Sequence, residues 1–184
     1  MKKRKEMTIM ETISSEISRD FDLTEIIDGE EIMTASPFLW HQEISQRINR
    51  KILLFLEQHN IGKVYYSPLD VILEEGINRL QPDLLFIRRE NLSILQDWVR
   101  GVPDMVCEIV SKGSMVRDME TKKRIYERYK VSEYWVVAPE YGTIEIFILE
   151  GDRYKLYSYA EGEGTVRSLA ISGLNIDVMD IFGD

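Results

Sequence analysis

A single cysteine, two histidines and no long apolar run set the first limits on this 184-residue chain. One thiol, Cys107, cannot close an internal disulfide, and no Cys/His spacing suggests a zinc site. With only His41 and His59, a mechanism centred on histidine has few places to reside. No apolar stretch approaches the ~20 residues that a membrane-spanning helix needs, and the charged start Met1-Lys2-Lys3-Arg4-Lys5-Glu6 has no hydrophobic segment behind it. The expected setting is therefore reducing and cytoplasmic, with no membrane partner. The patterns GxGxxG, GxxxxGK, HExxH and GxSxG are also missing, which removes hydride transfer, P-loop ATP chemistry and serine hydrolysis.

What is present describes an ordinary globular protein. The chain is 44% hydrophobic and 30% charged, enough to form a packed core and too short for two ordinary domains to be the default. We expect residues 1–20 to form a flexible or peripheral segment and residues 21–184 a single domain. The net charge of −9, from 23 Lys plus Arg against 32 Asp plus Glu, argues against a general coating of polyanions. It leaves room for local basic groups such as Arg88-Arg89 and Lys122-Lys123-Arg124 to contact phosphates.

Local patterns give an α/β order. Residues 26–33 read as two short β segments around the turn Asp28-Gly29, since Asp-Gly favours positive φ. From Pro37 to about Gln58, Ile44, Ile48, Ile52 and Phe55 fall on one face of a helix, and Asn60-Ile61-Gly62 ends it. Residues 64–66, 69–73, 82–87 and 104–110 read as strands, the last two apolar on both faces and so central. Ser111-Lys112-Gly113-Ser114 reads as a turn and N-cap for a helix over 115–130. Strands over 132–138, 142–149 and 153–158, and a short one near Val166, close a mixed sheet.

Two carboxylates interrupt these buried strands. Asp83 and Glu108 stand in segments whose neighbours call for burial, and a buried unpaired carboxylate is costly. Alternation sets Glu108 with Val106 and Val110, so neither face of that strand is a solvent face, and a cation should stand near Glu108. A core ion pair for Glu108, with Asp83 merely opening a strand, is the competing reading. Taken together, two converging carboxylates are what a hard cation such as Mg²⁺ requires.

Lys122 adds an independent signal. On a helix whose inward stripe runs Met115, Met119, Tyr126 and Tyr129, position 122 is the missing member, and it carries an ammonium. Lys123 and Arg124 turn progressively away and suit solvent or phosphate. His41 shares the inward face of the first helix, and Glu43 points to the opposite side. Asp118, one turn before Lys122, suits the helix dipole or an orienting contact to Lys122. Tyr126, Tyr134 and Trp135 read as packing.

The residues Pro82-Asp83, Val102-Pro103-Asp104-Met105-Val106-Cys107-Glu108-Ile109-Val110-Ser111, Asp118, Lys122, Tyr126 and Val131-Ser132-Glu133-Tyr134-Trp135-Val136-Val137 resemble, in order and spacing, the Uma-type family of restriction-endonuclease-like proteins. Those bacterial proteins are placed in the PD-(D/E)xK nuclease superfamily. The hairpin Ile27-Asp28-Gly29-Glu30, Ser36-Pro37 and His41 also look like its opening. The resemblance implies a restriction-endonuclease-like fold, a central mixed sheet flanked by helices with an N-terminal hairpin. It implies catalytic roles for Asp83, Glu108 and Lys122, with Asp83 and Glu108 holding Mg²⁺ or Mn²⁺. The superfamily's usual lysine, two positions after the second acid, is here Val110; in this family the lysine comes from the following helix, which matches Lys122. His41, Asp118 and Tyr126 would support the site, and Lys123 and Arg124 would touch phosphates. The expected activity is hydrolysis of nucleic-acid phosphodiesters, DNA foremost. The alternative is a non-catalytic interaction protein that keeps the scaffold and forms a homodimer through its late strands.

Overall fold

The computed structural model describes residues 23–33, 36–110 and 117–183, with side chains from Glu120 onward in the last of these segments. The expectations for residues 1–20, for the turn at 111–114 and for the side chain of Asp118 lie outside the described residues.

The chain opens as a hairpin, β1 (Thr24–Ile27) and β2 (Glu30–Met33). Its turn residues Asp28 and Gly29 have φ of 50° and 85°, the positive values that a two-residue hairpin of this twist demands. Helix α1 (Leu39–His59) follows, starting two residues later than expected because Phe38 is still extended, at ψ 161°. Asn60 ends it in the left-handed region and returns its N–H to the Leu56 carbonyl, as C-terminal caps do. Ile44, Ile48, Ile52 and Leu56 form its buried stripe.

Next come β3 (Gly62–Tyr66), β4 (Val71–Glu74), β5 (Asn78–Leu80), β6 (Leu84–Arg88), β7 (Val99–Arg100) and β8 (Met105–Ile109). A π-helical segment (Arg117–Lys122) leads without a break into α2 (Lys123–Arg128). Then follow β9 (Glu133–Ala138), β10 (Thr143–Glu150), β11 (Arg153–Glu161), β12 (Thr165–Arg167), β13 (Asn175–Asp177) and α3 (Met179–Phe182). The uniform helix expected over 115–130 is thus wide-turned in the part described before Lys123. Apolar spacing does not reveal such a turn, because it shifts the stripe by one residue without interrupting it.

The larger sheet has the order β11-β10-β9-β8-β6-β3, mixed because β8 and β9 run parallel while the other neighbours are antiparallel. The segment carrying Lys122 and α2 lies in the β8-to-β9 connection, as a parallel crossover requires. A second sheet has the order β2-β1-β5-β4-β7.

Both faces of the larger sheet are covered. On one, α1 and the C-terminal segment pack over Leu84, Phe86, Met105, Cys107, Ile109, Trp135 and Val137. On the other, Leu85, Ile87, Val106, Val110, Tyr134 and Val136 meet Ile125 and Tyr126 of α2 and Ile27, Val71, Leu80 and Val99 of the second sheet. This double burial explains why β6 and β8 lack the alternation of a solvent-facing strand. It also fixes the side of Glu108, which lies between Val106 and Val110 on the face covered by α2 and the hairpin. Among the described residues, no helix is long and apolar enough to cross a membrane.

Candidate active site

Leu84 of β6 faces Cys107 of β8 across the antiparallel ladder. Asp83 stands one residue before the first, and Glu108 one residue after the second. The Asp83 carboxylate accepts the backbone N–H of Ile109 at 2.7 Å. His41, in the first turn of α1, brings Nε2 to 3.3 Å from the same oxygen, Asp83 Oδ2. At 16% side-chain exposure, Asp83 is the more open of the two strand carboxylates.

Glu108 is 3% exposed, and so is Lys122. The Lys122 ammonium lies 3.2 Å from each Glu108 oxygen. The cation that the buried position of Glu108 called for is therefore in place, and it comes from the residue singled out by helical periodicity. Tyr126, one α-helical turn further on, donates its phenol to Glu108 Oε1 at 2.7 Å. Complete burial, then the negative charges of Glu108 and Glu25, raise the Tyr126 phenol well above its ordinary pKa. Near neutral pH it is a donor and not a base.

Glu25 of β1 is the partner that sequence reading missed. It is 1% exposed, and its Oε1 lies 2.8 Å from Lys122 Nζ and accepts the Gln81 backbone N–H at 2.9 Å. The available signal was period two: in β1, Glu25 and Ile27 are the buried pair. The turn at Asp28-Gly29 fixes which alternate residues face inward, but a strand of four residues displays that alternation only once.

The remaining candidates are less central. Lys123 lays its ammonium over the Phe147 ring, 3.3 Å from the centroid, and burial lowers its pKa. Arg124 is exposed and donates Nε to the Glu120 carbonyl. Both line an open recess together with Glu120 and Glu127, so this surface is mixed in sign. Arg88 leans toward Asp104, 3.8 Å away. Glu43 is exposed. His59 contacts the Phe55 carbonyl at 2.8 Å through Nδ1, at the end of α1.

Among the described residues, no group of three or more His, Cys, Asp or Glu side chains forms a ready metal cage. A hard cation of the Mg²⁺ type does not need one, since it takes one or two carboxylates and completes its shell with water and substrate phosphate. Asp83 and Glu108 are the side chains that could supply those carboxylates. Charge favours the fit: among the described residues the buried Glu108 and Glu25 share the Lys122 ammonium, Asp83 stands at the position facing Glu108, and excess negative charge in a low-dielectric interior is costly without a cation.

The chain matches the Uma2 family, described as "Putative restriction endonuclease", over residues 16–179. It belongs to that family. The fold agrees: a crystal structure of a protein from Anabaena variabilis, titled a putative nuclease belonging to DUF820, superimposes with a TM-score of 0.71. That alignment covers 86% of this chain and 89% of the other at 16% identity, a likeness that speaks for the architecture alone. No curated protein matches the chain. A Uma2 protein with a nuclease-like fold is thus the frame in which the buried acids and lysine are to be understood.

Proposed function

We propose that the protein is a divalent-metal-dependent endonuclease that hydrolyses phosphodiester bonds, with DNA as its substrate. The observation that carries this reading is the placement of two carboxylates, Asp83 and Glu108, at facing positions of the central β6–β8 pair, with the buried Lys122 ammonium beside them. In this reading Asp83 and Glu108 would hold Mg²⁺ or Mn²⁺. When bound, the cation polarises a phosphoryl oxygen and makes water more acidic.

The chain's own residues do the remainder. Ile109 N–H and His41 hold the Asp83 carboxylate in one orientation. Tyr126 does the same for Glu108, through a phenol that burial keeps protonated. Lys122 places a positive charge where negative charge develops on the phosphate, with little reorganisation at the moment of reaction. Hydrophobic cover from Val106, Val110 and Ile125 lowers the local dielectric and strengthens each of these interactions.

Metal binding tests the reading. Calorimetric titration of the full chain with Mn²⁺ should show one site, and Asp83→Asn should remove it while leaving the thermal melt of the metal-free protein in place. Equal Mn²⁺ affinity in the two proteins would contradict the assignment. The competing reading, a scaffold without catalysis, draws on the net charge of −9 and on the pairing of Glu108 with Lys122. It predicts no Mn²⁺ site in either protein.

A further inference from the structure

Two buried carboxylates, Glu133 and Glu25, are satisfied to different degrees. Glu133 is saturated: Oε1 accepts from Trp135 Nε1 at 2.7 Å and Ser168 Oγ at 2.6 Å, and Oε2 accepts from the N–H groups of Leu169 at 2.6 Å and Ala170 at 2.9 Å. That is a structural tie between β9 and the C-terminal segment. Glu25 is different. Its Oε1 is fully engaged, but its buried Oε2 has no hydrogen-bond partner among the described residues. An unsatisfied carboxylate oxygen beside a flexible ammonium is an acceptor in reserve.

The distances around Lys122 are unequal in the same sense. Its ammonium is closer to Glu25, at 2.8 Å, than to either oxygen of Glu108, at 3.2 Å. Glu108 would hold a divalent cation through the same two oxygens that now face the Lys122 ammonium, so the lysine contact there would weaken when the cation is bound. Without a second carboxylate the lysine would either resist that exchange or be driven from the site.

We infer that Glu25 is a positioning residue, which keeps the Lys122 ammonium inside the site when Glu108 is engaged by a divalent cation. The inference rests on the nuclease reading and deepens it. The hairpin that carries Glu25 is tethered to the lysine-bearing helix at its turn. Arg128 pairs with Asp28 at 2.5 Å, and Asn78 bridges the Asp28 N–H and the Tyr129 hydroxyl, each at 3.1 Å. These contacts join the hairpin to the end of α2, and Glu25 Oε1 lies 2.8 Å from Lys122 Nζ.

The test is Mn²⁺ affinity, measured by calorimetry on the full chain with thermal melts alongside. Glu25→Asp keeps the charge but withdraws it by one methylene, and Glu25→Gln removes the charge. Both should weaken Mn²⁺ binding, the Gln variant by about tenfold, the scale of one charge-assisted hydrogen bond. In a Lys122→Met background the loss from Glu25→Gln should shrink to under about threefold, since the residue then has no ammonium to hold. Wild-type affinity in both single variants would overturn the inference. So would an undiminished loss in the Lys122→Met background, which would mark Glu25 as a ligand or a simple source of negative field. If Lys122→Met does not fold, Glu25→Asp alone decides, because its charge is unchanged. Failure of the wild-type protein to bind Mn²⁺ would overturn the nuclease reading and this inference together, whereas intact wild-type binding with unaffected variants would overturn this inference alone.

Discussion

Asp83 accepts the backbone N–H of Ile109 at 2.7 Å, so the carboxylate at the start of one central strand is held by the peptide immediately after Glu108 on the next. The two acids are thereby coupled through the sheet itself. Their relative position depends on the β6–β8 register and not on a loop; in the proposed nuclease such a fixed arrangement would need little reorganisation.

Because the described carboxylates around Lys122 outnumber it, the two partners of the Lys122–Glu108 pair should respond unequally to neutralisation. Glu108→Gln leaves Lys122 paired with Glu25 and removes excess negative charge, so the metal-free protein should stay within about 1 kcal/mol of wild type. Lys122→Met leaves Glu25 and Glu108 buried without their ammonium and should cost about 3 kcal/mol or more. Urea denaturation of the metal-free proteins checks this. Equal losses would show that Lys122 and Glu108 form a simple isolated ion pair.

Glu133→Gln should be costly for a different reason. Its carboxylate serves four donors, and an amide would turn an NH₂ group toward at least one of them. A loss of about 2–4 kcal/mol is expected from the broken charge-assisted bonds, read as a lower denaturation midpoint. An unchanged midpoint would show that the C-terminal segment is not held by Glu133.

How much of this was legible follows from the kind of signal each residue gives. Asp83 and Glu108 interrupt apolar runs, and Lys122 interrupts a helical stripe, so each could be found against a regular background. The hairpin was legible through Asp28-Gly29. Glu25 was not, because its burial depends on the second sheet and α2 closing over a four-residue strand. The five-stranded sheet was equally obscure: β5 and β7 span three and two residues, too short for any period to register. The wide-turned segment before α2 leaves no compositional trace either.

Alkaline stability should report the buried phenol of Tyr126. Burial raises its pKa in the folded protein, while the unfolded chain restores a value near 10. A raised folded pKa means that the contribution is complete below about pH 10 and declines as pH rises beyond it, since the unfolded state then releases the proton first. Stability should therefore fall more steeply above about pH 10 in wild type than in Tyr126→Phe. Parallel pH profiles from denaturant titrations would contradict the assigned environment.

The most direct measurement is cleavage itself: wild type and Asp83→Asn, both folded and supplied with Mn²⁺, on a panel of single-stranded, duplex and branched DNA. Wild type should show metal-dependent cleavage of at least one substrate, abolished by chelation, and Asp83→Asn a fall on the order of 10²-fold or more, the scale of removing one stabilising element from a preorganised site. No cleavage of any substrate by the Mn²⁺-supplied wild type, or wild-type rates in Asp83→Asn, would contradict the proposed function.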